Sequence, residues 1–217
     1  MSDPNGETKD LSFLELIAIT DNLRDGIEGL LQRAQAAVAG GATSIQVRLK
    51  DSAPREIVEV AALMGQALHV PIIVNDRADL ALAARAAGVH LGPTDLPVKA
   101  VRRFVPRAFV IGASFGGESK FRNASLADYV GIGPVAATSS KTDAGTPIGT
   151  DGFRTLAARI TLPAVAVGGI DASRAADLAA AGAIGVAAMS AIFGAADPEK
   201  AAVEILAAFR RHAALKK

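Results

Sequence analysis

Eight apolar runs, at residues 14–20, 43–50, 71–76, 88–92, 109–114, 129–135, 163–170 and 185–192, punctuate the chain, and most are apolar almost without interruption. A strand that alternates apolar with polar residues keeps one face in water, whereas a continuously apolar strand is buried on both. The segments between the runs supply the covering layer. Ile27, Leu30, Leu31 and Ala34 carry the helical period after the first run, and Ile57, Val60, Ala61, Met64 and Leu68 carry it after the second. Ala202, Ile205, Leu206 and Phe209 repeat it after the last, where Asp197 can cap a helix and Pro198 suits its first position. Strands alternating with helices imply parallel pairing. Eight such units predict an α/β fold, a single closed (β/α)8 TIM barrel, with a doubly wound open sheet as the alternative.

A chain of 217 residues with 50% hydrophobic content can bury one sizeable core, so residues 13–217 are read as one barrel domain. The polar, acidic start "MSDPNGETKD" lacks the basic and apolar regions of a secretory signal, and residues 1–12 read as a mobile tail. Residues 178–196 carry no charge and reach membrane-spanning length. Gly182 and Gly185 interrupt them, however, and the stretch divides into a helix end, a turn and a short strand. The fifth unit, after Phe115, shows little helical period and predicts a short or irregular helix.

The charge balance, 23 basic against 22 acidic residues, creates no field for nucleic acid or an anionic membrane. At 4% aromatic residues a base-stacking platform is also disfavoured. The absence of cysteine excludes disulfides, thiolate metal sites and a cysteine nucleophile, and a cytoplasmic location is expected. The expected partners are therefore small molecules, with no nucleic acid or membrane, and homo-oligomerisation is left open.

In a barrel of this kind, chemistry gathers where the strands end and the loops into the helices begin. The second run ends "QVRLK", and period two puts Gln46, Arg48 and Lys50 on one face. Such a comb suits a phosphate-bearing substrate, or else two basic side chains that extend to solvent. Asp76 and Asp95 follow the third and fourth runs, so both acids can face one ligand. Their oxygen chemistry suits Mg2+, with capping of the helices near Ala78 and Pro97 as the alternative. After the sixth run, Thr138, Ser139, Ser140 and Lys141 open a long polar loop, either a ligand-closing segment or an ordinary connection. Gly168 and Gly169 end the seventh strand, and Met189 and Ser190 close the eighth, beside the loops that often hold phosphate in such barrels. His90, mid-strand, reads as a satisfied core imidazole, and no Walker A, HExxH or dinucleotide fingerprint is present.

The ordered set "QVRLK", "VNDRADLALAARAAGVHLGPTDLP", "DYVGIGPVAATSSK", "PAVAVGGI" and "AGAIGVAAMSAI" resembles the thiamine phosphate synthase family from about Leu16 to Ala202. The resemblance implies a transferase that joins an aminopyrimidine-methyl diphosphate to a thiazole phosphate, releasing pyrophosphate. It assigns the diphosphate substrate to Gln46, Arg48, Lys50, Asn75 and Lys141, with Arg48, Lys50 and Lys141 stabilising the leaving group. It assigns Mg2+ to Asp76 and Asp95, the pyrimidine to Ser114, and the thiazole phosphate to Thr138, Ser139, Ser140, Gly169, Met189 and Ser190. Leu49, where the family commonly has an acid, the "SFGGES" turn from Ser114, and Ala136 and Ala137 depart from the family pattern. A thiazole tautomerase-like isomerase and a non-catalytic thiazole phosphate-binding paralogue are the alternatives.

Overall fold

Side-chain parity decides what enters the barrel and what lines its outside. The computed structural model describes residues 9–116, 124, 126–138 and 145–213. Eight parallel strands, β1 (Leu16–Ile19), β2 (Ser44–Val47), β3 (Ile72–Asn75), β4 (Gly88–Leu91), β5 (Val110–Phe115), β6 (Tyr129–Ile132), β7 (Ala164–Val167) and β8 (Gly185–Ala188), pair in sequence order. The sheet closes where Ile17 of β1 registers with Ala187 of β8, so the open-sheet alternative is discarded.

Leu16 and Ala18, Ile45 and Val47, Ile72 and Val74, and their counterparts around the ring point outward into one core shared with the helices. Ile17, Ile19, Ile73, Val110, Tyr129, Val165 and Ala187 point inward and form a second, smaller cluster in the lumen. This is why the runs read as continuously apolar: both parities leave water, at about 1.5–3 kcal/mol for each large aliphatic side chain fully buried. The lumen is not wholly apolar, because Ser44 and Gln46 are buried there too.

The α-helices among the described residues include α1 (Gly26–Ala39), α2 (Pro54–Ala67), α3 (Ala78–Ala83), α4 (Val98–Val101), α5 (Gly149–Ala157), α6 (Ala172–Ala180), α7 (Ser190–Phe193) and α8 (Pro198–Ala213). The periods read from sequence fall on the buried sides of α1, α2 and α8, through Leu30 and Ala34, Val60, Ala61 and Met64, and Ala202 and Ile205. Asp197 accepts from Lys200 N at 2.9 Å at the start of α8, the expected cap. The uncharged stretch 178–196 divides into the end of α6, a turn, β8 and α7. Among the described residues no helix is long and apolar enough to cross a membrane. The expected irregular fifth helix falls on 117–123 and 125, outside the described residues.

The amino-terminal end of the barrel is closed by the residues ahead of β1. Leu14 is fully buried in the lumen cluster, with Leu11 and Phe13 packed against it. Lys9 donates to Phe109 O at 2.8 Å and pairs with Asp128 at 3.0 Å. Asp128 also accepts from Arg102 at 2.5 Å and from Ile111 N at 2.7 Å. The expected mobile tail thus divides: residues 1–8 lie outside the described residues, and Lys9 contributes to this plug.

Candidate active site

Strand β2 leaves the ladder at Val47 because the next amide finds a side chain instead of a strand. Arg48 N donates to Thr20 Oγ1 at 2.8 Å, while Thr20 N donates to Gln46 O at 2.9 Å. Thr20 is fully buried. This exchange fixes the backbone from which Gln46 and Arg48 project. Gln46 is only 5% exposed, and its Nε2 donates to Asn75 Oδ1 at 2.7 Å, tying the end of β2 to the last residue of β3. Val47 and Leu49, of opposite parity, lie in the outer core, and Lys50 is exposed at the rim.

Asp76, the next residue after β3, has a φ of 65° and keeps its amide on His90 O at 2.8 Å. A left-handed backbone is uncommon away from glycine and costs on the order of 1 kcal/mol or more, so it persists where the surroundings enforce it. Asp95, in the loop after β4, accepts from Gly92 N at 2.5 Å. Burial above all, then the charge and hydrogen bond of Asp95, push the Asp76 carboxyl up to about 6, while Lys50 and Arg48 pull it partly back. Those effects on one carboxyl define the cluster: two acids with two cations within electrostatic reach. Neither acid caps a helix, for Arg77 and Pro97 stand at the N-caps of α3 and α4, and neither helix has a side-chain cap bond.

Two converging carboxylates suit Mg2+, which is commonly held by one or two acids and keeps water and substrate phosphate as its other ligands. A divalent cation would offset both the burial and the neighbouring Asp95 charge that raise Asp76. No group of three or more His, Cys, Asp or Glu able to hold a metal is found among the described residues. Two carboxylates fit a metal that takes its other ligands from water and substrate.

Beside the acids lies a cavity of about 180 Å³ whose lining includes Arg48, Ser114, Thr138, Gly169, Met189 and Ser190. Arg48 spans both regions, since it lines the cavity, acts on Asp76 and approaches Met189 Sδ at 3.8 Å across the mouth. On the far wall Ala136 N donates to Gly168 O at 3.0 Å, which draws the loop after β6 against the end of β7. Gly169 has a φ of 65°, and a Cβ there would fall 2.8 Å from Ala136 Cβ. Glycine is therefore required twice, by conformation and by the approach of the neighbouring loop. Ser139, Ser140 and Lys141 lie outside the described residues.

Residues 16–192 match the model of a family described as thiamine monophosphate synthase. The chain belongs to this family. Thiamine-phosphate synthase of Moorella thermoacetica is 42% identical over 191 residues, covering 86% of this chain and 90% of that protein. The Azorhizobium caulinodans protein of the same name is 42% identical over 194 residues, covering 87% and 92%. Among solved structures, thiamine phosphate pyrophosphorylase from Pyrococcus furiosus superposes with a TM-score of 0.80 at 33% identity, over 93% of this chain and 98% of that one. 3-Hexulose-6-phosphate synthase, with a TM-score of 0.69 and 21% identity over 89% and 99%, shares the barrel.

Departures from the synthase family pattern find a physical place. Leu49 is 5% exposed in the outer core, where it serves packing. Ala136 offers the small surface that the Gly169 turn approaches. Of the altered turn after Ser114, residues 117–120 lie outside the described residues. The site also contains residues the motifs did not single out. Ile19 and Val167 line the cavity, and each shares the inward parity of its neighbour two residues earlier, so strand parity could have found them. His90 is a lumen imidazole with partners on both nitrogens, Tyr129 OH and Ser114 Oγ, each at 3.2 Å.

Proposed function

We infer that the chain is a thiamine phosphate synthase, a transferase joining 4-amino-2-methyl-5-(diphosphooxymethyl)pyrimidine to 4-methyl-5-(2-phosphooxyethyl)thiazole to give thiamine monophosphate and pyrophosphate. Family membership supports the activity. One observation carries the site: Asp76, held in a left-handed conformation and raised by burial and then by Asp95, stands where Arg48 and Lys50 both act on it.

In this reading the C–O bond to the diphosphate breaks with its electron pair leaving on oxygen, and the aminopyrimidine stabilises the methylene cation that remains. Arg48 and Lys50 face the negative charge that grows on the departing group, and Lys141 is assigned there by the family pattern. Asn75, locked to Gln46, orients the same substrate. Asp76 and Asp95 would hold Mg2+, which when bound would neutralise diphosphate charge. The thiazole nitrogen then donates its lone pair to the methylene carbon, and no covalent nucleophile is needed. What remains for the protein is positioning and the exclusion of water that would trap the cation.

The cavity wall at Thr138, Gly169, Met189 and Ser190, together with Ser139 and Ser140, is assigned the thiazole phosphate. An isomerase or a silent binding paralogue would leave the strained Asp76 and its paired acid without a task, which favours the synthase. A cytoplasmic location accords with a chain that has no cysteine. Incubating the purified protein with both substrates, with and without Mg2+, tests the reading. Thiamine monophosphate formed in equal amount to pyrophosphate supports it, and conversion of a thiazole phosphate isomer without diphosphate chemistry would replace it.

A further inference from the structure

Tyr129 on β6 and His90 on β4 are separated by a whole strand, yet they touch. Registers put His90, Gly112 and Tyr129 in one row across the lumen. A Cβ on Gly112 would fall 2.2 Å from Tyr129 Cζ and 2.6 Å from His90 Nδ1, so the missing side chain on β5 is the passage through which the phenol reaches the imidazole. One step up β5, Ser114 Oγ lies 3.2 Å from His90 Nε2 and lines the cavity. The row thus connects a buried hydroxyl to the cavity wall.

We propose that Tyr129 sets the tautomer of His90, which in turn fixes Ser114 as a hydrogen-bond donor into the cavity, selecting a ligand ring that presents an unprotonated nitrogen there. The ligand part rests on the synthase reading, in which Ser114 faces the pyrimidine. Tyr129 is buried, and burial and the Asp128 charge keep its hydroxyl protonated. A buried phenol O–H requires an acceptor. His90 Nδ1 at 3.2 Å serves as that acceptor, which places the imidazole proton on Nε2. Nε2–H then donates to Ser114 Oγ, occupying one lone pair and turning the serine's own proton toward the cavity. The opposite tautomer would leave the Tyr129 proton facing a donor and give Ser114 only lone pairs to offer. Tyr129 and His90 are positioning residues in this scheme, and Ser114 makes the contact.

Nitrogen-15 NMR of imidazole-labelled, ligand-free protein reads the tautomer directly, whatever the activity. The expected result is a protonated Nε2 and a bare Nδ1 in the wild type, with the preference lost in Tyr129→Phe. Titration with the pyrimidine diphosphate should show Tyr129→Phe binding about tenfold more weakly, the loss of one modest hydrogen bond, with thiazole phosphate affinity unchanged. His90→Gln, which retains a donor toward Ser114, should keep most of the pyrimidine affinity that His90→Leu loses. A proton on Nδ1 in the wild type would overturn the relay. Equal weakening of both substrates would reduce the row to packing and overturn it as well. A wild type with the Nε2 proton that binds no pyrimidine diphosphate would overturn the ligand claim through failure of the functional reading alone.

Discussion

Asp95 stands within electrostatic reach of Asp76 from the end of the neighbouring strand, and its charge adds to burial in pushing the Asp76 carboxyl up to about 6. Gly92 makes the approach feasible. A Cβ on it would sit 3.0 Å from Asp95 Oδ2 and 3.8 Å from Asp76 Oδ1. The protein without metal therefore holds an acid pair that is unfavourable at neutral pH, as expected of a site arranged for a ligand rather than for stability.

Stability of the metal-free protein should register this pair. The folded Asp76 carboxyl titrates at about 6, above its ordinary 3.8, so the folded state binds more protons between those values. The associated stability is fully present below the ordinary range and is lost as pH rises through about 6. Because Asp76 is part-exposed, the effect is on the order of 1 kcal/mol. Asp76→Asn tolerates the left-handed backbone and should be more stable than wild type at pH 7.5 but not at pH 4. Urea unfolding at the two pH values checks it, and an equal shift at both would remove the repulsion.

Asn75→Ala should cost about 1–3 kcal/mol, because it strands the buried Gln46 amide. The same variant should weaken diphosphate substrate binding while leaving thiazole phosphate affinity near normal. Calorimetric titration with each ligand separates the effects, and a loss confined to the thiazole phosphate would reverse the assignment.

At the opposite end of the barrel, Asp128→Ala should destabilise the fold by about 3 kcal/mol, since Lys9 and Arg102 lose their ion-pair partner and Ile111 N loses its side-chain acceptor. Turnover per folded molecule at 25 °C should stay near wild type. A fall in turnover larger than the fall in folded fraction would contradict a purely structural plug.

Ser190→Ala should raise the thiazole phosphate dissociation constant several-fold and leave the pyrimidine diphosphate unaffected, as expected for one hydrogen bond to a phosphate. Gly169→Val is a poorer probe of the same wall. Its left-handed φ and the contact with Ala136 mean the substitution must move the loop, so unfolding would obscure any phosphate effect. Unchanged affinity in Ser190→Ala would take Ser190 out of the phosphate site.

Much of the architecture was legible because parity and period are local properties. Ile72, Ile73 and Val74 announce a strand buried on both faces, and Asp76 and Asp95 fall at the rim once eight such strands are counted. What could not be read is what depends on contact across strands. Period two placed Gln46, Arg48 and Lys50 on one side, but only the fold shows Gln46 bonded to Asn75 and Lys50, exposed at the rim, acting on Asp76. Asp76 gives no sequence sign of its left-handed backbone. His90 looked like a core imidazole because its partners lie on β5 and β6, and the glycine that admits Tyr129 is unremarkable as a letter. The roles given to Ser139, Ser140 and Lys141 rest on the family pattern, for those residues are outside the described ones.

The acid pair as the diphosphate end of the site is tested most directly by product formation against Mg2+ concentration in wild type, Asp76→Asn and Asp95→Asn. Wild type should make thiamine monophosphate only with Mg2+. Both variants should stay folded while losing turnover by roughly two orders of magnitude or more and requiring more Mg2+ for what remains. Wild-type turnover undiminished by chelation, or near-normal turnover with unchanged Mg2+ dependence in both variants, would contradict the account.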